Sequence, residues 1–132
     1  MKVMLDTNIC IYLIKQQPPV VIERFLKHPV GDIGISSITA AELFYGVHKS
    51  LQVSTNRLAL EQFLAPLEVA SFDQESAQFY GRLRSQLESK GTLIGSMDML
   101  IAAHALSLGV RLVTNNLKEF RRVPGLRLEN WV

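Results

Sequence analysis

The chain has 132 residues, 48% of them hydrophobic, with 14 Lys plus Arg against 12 Asp plus Glu and one cysteine. Chains of roughly 100–150 residues usually form a single core, and the balanced charge with few Pro and Gly excludes a disordered tail protein. One cysteine excludes an internal disulfide and argues against a thiolate zinc site, and no stretch approaches the ~18 unbroken apolar residues of a membrane span.

Val3 to Leu5 is a short β-type run ending at the helix-capping cluster Asp6, Thr7 and Asn8. Ile9 to Lys15 reads as a helix stopped near Pro18 and Pro19, and Val20 to Lys27 as a second helix with Pro19 at its first turn. Ile33 to Ile35 is a small strand running into Ser36 and Ser37. Thr39 and Glu42 match a capping box, which predicts a helix from there toward Lys49 with Glu42 in its first turn. A polar break at Ser50 to Asn56 precedes a helix ending near Leu64, and Leu67 to Phe72 reads as a strand. Asp73 caps a long helix reaching Lys90, with Tyr80, Leu83 and Leu87 as its buried stripe. Met97 to Leu108 is the most apolar helix, closed by Gly109. A strand at Arg111 to Val113, a turn of helix at Leu117 to Arg121 and an edge-like strand at Leu126 to Leu128 complete the chain.

Short strands alternating with helices predict an α/β fold, a parallel sheet flanked by helices on both sides, within one domain of residues 1–132. Right-handed crossovers put every strand's C-terminal end on one edge, and ligands in such folds bind outside that edge. Asp6 follows the first strand directly. Glu42 and Asp98 open helices, Asn116 follows the strand ending at Val113, and Glu119 lies one helical turn further on.

Each acid has a local explanation too. Asp6 can cap a helix, Glu42 can complete its capping box, and Asp98 near a helix N-terminus gains about 0.3–1 kcal/mol from the macrodipole. Together these explanations weaken, because the topology brings three carboxylates to one crevice. Two such charges about 5 Å apart repel by roughly 3 kcal/mol at an effective dielectric near 20, more than capping returns. A hard divalent cation with oxygen ligands, Mg²⁺ or Mn²⁺, relieves that repulsion.

The remaining polar residues do not compete for this role. Asp98 and His104 are six apart, about 240° around a helix, so His104 faces away into an apolar run. His28 and His48 lack metal-ligand spacing, and Cys10 in its apolar helix reads as a packed thiol. No phosphate loop of the GxxxxGK[ST] type is present, nor a glycine-framed nucleophile elbow. Five basic against two acidic residues from position 111 onward hint at a polyanionic partner, although a solvated surface explains them equally. The N-terminus is too polar for a signal peptide, so the chain reads as a soluble cytoplasmic domain.

Met4 to Asn8 (MLDTN), Ser36 to Gly46 (SSITAAELFYG), Met97 to His104 (MDMLIAAH) and Val113 to Phe120 (VTNNLKEF), in that order and spacing, resemble the PIN-domain nucleases. More narrowly they resemble the VapC toxins of bacterial toxin–antitoxin pairs. The ending Val123 to Trp131 (VPGLRLENW) resembles the enteric-type branch that cuts initiator tRNA in the anticodon stem-loop. The resemblance implies that Asp6, Asp98 and Glu42 are metal ligands, the last directly or through water. It makes Asn116 a catalytic residue standing where the family often has a further acid, which questions a second tightly held metal.

Asn8 and Thr114 are then expected to orient carboxylates and phosphate oxygens, with Glu119 substituting through water or holding the scaffold. The implied reaction is hydrolysis of an RNA phosphodiester by metal-activated water, leaving 5′-phosphate and 3′-hydroxyl ends. Lys118, Arg121 and Arg122 are the candidates for contacts to the RNA backbone. The implied partners are a second copy of the chain and a VapB antitoxin whose C-terminal segment crosses the acidic crevice, with Tyr12, Phe44 and Tyr45 as candidate groove residues. DNA is reached only through that antitoxin, since no helix-turn-helix pattern is present. The rival class is a PIN fold that binds RNA or a partner without cutting, a state marked by loss of Asp6, Glu42 or Asp98; all three are present. A dehalogenase-type phosphotransferase wants a second Asp where the chain has Asn8, and a receiver domain wants its Asp after an internal strand.

Overall fold

The computed structural model describes residues Met1–Val132. Five strands, β1 (Val3–Leu5), β2 (Ile33–Ser36), β3 (Glu68–Ala70), β4 (Arg111–Val113) and β5 (Leu128–Glu129), form one sheet in the order β3-β2-β1-β4-β5. All four pairings are parallel. The chain builds outward from β1 through β2 to β3, then returns to the other side of β1 for β4 and β5. The switch point therefore lies between β1 and β4, where open parallel sheets form their ligand crevice.

The period-two alternation of the strands separates two apolar layers. Val3, Leu5, Ile33, Ile35 and Val113 face a core shared with α1 (Thr7–Lys15), α2 (Pro19–Leu26), α3 (Ser37–His48) and α4 (Val53–Leu64). Met4 and Leu112 face the second core, built with α5 (Gln74–Ser89), α6 (Ser96–Leu108) and α7 (Leu117–Phe120). Cys10 is buried in the first core, and burial, then the nearby Asp6 charge, pushes its thiol far above the ordinary range. Gly34 in β2 leaves room for β3, since a Cβ there would stand 2.8 Å from the Glu68 carbonyl oxygen. No helix is long and apolar enough to cross a membrane.

The local reading needs correction at three places. The α3 helix begins at Ser37, because Ser36 at the end of β2 caps it by accepting the Ile38 N–H at 3.0 Å. Thr39 is thus a buried residue inside the helix instead of its cap, and Glu42 lies in the second turn. The α4 helix starts at Val53, inside the stretch read as a break. The last strand sits at Leu128–Glu129, two residues later than the alternation of Leu126 to Leu128 suggests, on the sheet edge as expected.

Candidate active site

Four separate segments deliver carboxylates to the C-terminal edge of the sheet. Asp6 leaves β1 and caps α1, Glu42 comes from α3, Asp98 from the first turn of α6, and Glu119 from α7. Asp6 is 4% exposed, so its charge survives on specific bonds: Oδ1 accepts the Thr7 N–H at 2.8 Å and Oδ2 accepts the Thr114 hydroxyl at 2.8 Å. Thr114, fully buried at the end of β4, in turn accepts the Asn116 N–H at 3.0 Å. This relay spans the switch point and fixes Asp6 against the neighbouring strand.

Glu42 is held by a residue that the local pattern did not single out. The Thr7 hydroxyl donates to its Oε1 at 2.6 Å, across 35 positions of sequence. The signal available was only that Thr7 opens the helix beside Asp6; its partner is a matter of tertiary structure. The Asn116 amide donates to Glu119 Oε2 at 2.7 Å, so the residue standing in place of an acid orients one instead. Asn8 is exposed on the second position of α1 and has no hydrogen bond to the carboxylates, whereas Thr114 does. Tyr12 and Phe44 pack against the first core, Tyr12 also accepting from the Asn115 amide, while Tyr45 is exposed.

The electrostatics record an uncompensated negative cluster. None of the four ion pairs in the structure involves Asp6, Glu42, Asp98 or Glu119. Burial raises the Asp6 carboxyl above its usual range, the Thr114 and Thr7 bonds work against that, and Glu42 and Glu119 add to the rise. The Asp98 carboxyl is pushed up to about 7, by burial first, then by the Asp6 charge and a proton-linked contact with Glu119. Glu119 moves the other way, held down first by the Asn116 amide. At neutral pH the Asp98 carboxyl is thus about half protonated beside the other carboxylates.

The donors suit a hard cation: all are oxygens, they come from rigid elements, and none forms an ion pair with a basic side chain. As the side chains stand, no three of them form a closed ligand set. Lys118, Arg121 and Arg122 are exposed on and just after α7, beside Glu119, and Arg122 also donates to the Leu93 carbonyl at 3.0 Å. The histidines stay out of the crevice. His104 is 1% exposed on the buried side of α6, and His28 stacks on Trp131. Beside the carboxylates a groove of about 410 Å³ runs between α1, α3 and α4, lined by Ile11, Ile14, Leu43, Val47 and Leu60 with Glu42 among them.

Comparison with known proteins identifies the family of the chain. The PIN domain profile matches residues 3–126. Ribonuclease VapC2 of Rickettsia felis is 48% identical over 131 residues, covering 97% of this chain and 96% of that protein. The tRNA(fMet)-specific endonuclease VapC of Salmonella typhimurium is 47% identical over 131 residues, covering 99% and 98%. The crystal structure of DNA-bound VapBC from Salmonella typhimurium superimposes with a TM-score of 0.95 at 46% identity, covering 100% of this chain and 99% of that one.

Proposed function

The chain belongs to the PIN-domain family, among its VapC ribonucleases, and from that premise we propose that it is a toxin cutting initiator tRNA in the anticodon stem-loop. The observation that carries the chemistry is the cluster of Asp6, Glu42 and Asp98 at the switch-point edge without a basic partner. The choice of RNA rests on the relative named for tRNA(fMet). We take residues 1–132 as one domain acting in the cytoplasm, where its substrate is.

Asp6, Asp98 and Glu42 would hold a divalent ion, Mg²⁺ with Mn²⁺ as a substitute. When bound, such an ion lowers the pKa of a water and offsets charge on the scissile phosphate. The chain's own residues do the rest. Thr114 and the Thr7 amide aim Asp6, the Thr7 hydroxyl aims Glu42, and Asn116 turns Glu119 toward Asp98. Lys118 and Arg121 offer charge to flanking phosphates, and exposed Asn8 is free to meet a phosphate oxygen. Attack by water on the phosphodiester leaves a 5′-phosphate and a 3′-hydroxyl, whereas attack by the ribose 2′-hydroxyl leaves a cyclic phosphate.

The partner follows from the solved relatives, which are VapBC complexes. We place the antitoxin's C-terminal segment along the groove between α1, α3 and α4, with apolar side chains against Ile11, Ile14 and Leu60 and a basic side chain toward Glu42. Promoter DNA then belongs to the antitoxin's surface, and a second copy of the toxin completes the unit.

The test is cleavage of total bacterial tRNA by purified, antitoxin-free protein, comparing Mg²⁺ with EDTA and wild type with Asp6→Ala. One Mg²⁺-dependent cut in the initiator anticodon loop, with a 5′-phosphate and lost in the variant, is expected. Cutting of a different RNA would discard the substrate and keep the chemistry. Absence of any cutting by folded, metal-loaded protein would leave an RNA- or partner-binding module.

A further inference from the structure

We propose that His104 is a positioning residue for the hydrolysis: through Ser36 it locks the helix carrying Glu42 against the helix carrying Asp98. The inference rests on the nuclease reading above and adds a residue outside the acidic crevice.

His104 is 1% exposed and Ser36 is fully buried, and His104 Nδ1 lies 2.7 Å from Ser36 Oγ across 68 positions of sequence. Ser36 already accepts the Ile38 N–H at 3.0 Å as the cap of α3. Ser36 Oγ keeps its own proton and a second lone pair, so it bonds Nδ1 in either tautomer of the imidazole, while Nε2 has no partner of its own. The Ser36 hydroxyl thus ties the cap of α3 directly to His104.

The placement is symmetric about the site. Glu42 lies six residues beyond Ser36 in α3, and His104 lies six residues beyond Asp98 in α6. At 1.5 Å per residue the lock sits about 9 Å along each helix from the carboxylate that helix carries. Helices of 12 and 13 residues act as rods over that distance, so a slip at the lock reaches the carboxylates undiminished. A third segment closes the arrangement: Phe72 sets its ring edge-on to the imidazole at 5.4 Å, and its N–H donates to Ser37 Oγ at 3.0 Å. An apolar side chain would fill the same space at position 104. Only a hydrogen-bonding atom at the place of Nδ1 holds the cap of α3 in register with α6.

The test uses the full chain. Asn places a polar atom where Nδ1 stands, while Gln reaches toward Nε2 and Leu offers no hydrogen-bonding atom. Misplacement near 1 Å costs on the order of 100-fold in rate. Accordingly His104→Leu should lose about 10- to 100-fold in kcat at nearly unchanged KM for RNA, and should bind Mg²⁺ alone more weakly by calorimetry. His104→Asn should recover most of both, and His104→Gln little. Ser36→Ala lowers Tm by removing the cap of α3, but should add nothing to the kcat loss in His104→Leu if the two act as one unit.

The inference is overturned if His104→Leu keeps wild-type kcat and Mg²⁺ affinity. Equal Asn and Gln variants, or losses that merely track a falling Tm, would overturn it too. If wild type cuts no RNA, the nuclease reading has failed, and the Mg²⁺ titration still decides the lock. Equal affinity in wild type and His104→Leu sinks it, and a weakening restored by Asn upholds it.

Discussion

Asp98→Asn should stabilise the metal-free protein while removing its activity. The Asp98 carboxyl, at 3.8 when unperturbed, is pushed to about 7 by burial, by Asp6 and by its contact with Glu119. An acid that holds its proton more tightly when folded weakens folding as pH rises: the loss starts near its unfolded value of about 4 and is complete above about 7. At 1.36 kcal/mol per pH unit the whole span corresponds to about 4 kcal/mol, and solvent screening at the half-buried carboxyl reduces it to about 2 kcal/mol. For a domain of this size that is about 5–10 °C in Tm.

The assay is thermal unfolding in EDTA from pH 5 to pH 8, wild type beside the variant. The variant should melt higher at pH 8, and the gap should shrink by more than half at pH 5. His104, whose lowered pKa makes acid destabilising, is present in both proteins and cancels from the difference. Glu119, also lowered, titrates below this window. Millimolar Mg²⁺ at pH 8 should raise the Tm of wild type and leave that of the variant nearly unmoved. Equal melting of the two proteins at pH 8, or a variant less stable than wild type, would refute the idea that the carboxylates are held together against their repulsion.

Thr7→Val removes the hydroxyl that aims Glu42 and should lower kcat about fivefold, the equivalent of the roughly 1 kcal/mol such a bond contributes, with Tm lowered by a few degrees at most; steady-state kinetics on a tRNA hairpin decides. Lys118→Glu with Arg121→Glu should weaken RNA binding and flatten its salt dependence, measured with Asp6→Asn so that the RNA stays whole; an unchanged slope would place the backbone contacts elsewhere. Gly34→Ala forces a methyl against the Glu68 carbonyl and should cost about 1–3 kcal/mol by overpacking, read as a lower urea midpoint; an unchanged midpoint would mean that β3 gives way without cost.

The acids were legible because Asp6 follows a strand, Asp98 opens a helix and Glu42 lies early in the helix after β2, and a parallel α/β pattern sends such positions to one edge. What holds them was not. Thr7 meets Glu42 across 35 positions and Ser36 meets His104 across 68, so no local window contains both partners. The capping box at Thr39 misled because Ser36, one turn upstream, is also a strong cap and has β2 directly before it. Strands of two to four residues carry too few alternations to fix their ends, which is why β5 came out two residues early. Asn116 could be placed by its position after β4, but its bond to Glu119 depends on how α7 folds back after the strand.

The strand order also governs when this protein becomes dangerous to the cell that makes it. Asp6 is among the first residues synthesised, yet its buried oxygen is satisfied by Thr114, 108 positions later. At roughly 5–20 residues per second a ribosome needs about 5–20 s to travel between the two. Through that interval β1 lacks its β4 neighbour, Asp98 joins only near the end, and the carboxylate cluster is incomplete. The cutting centre therefore forms late and all at once.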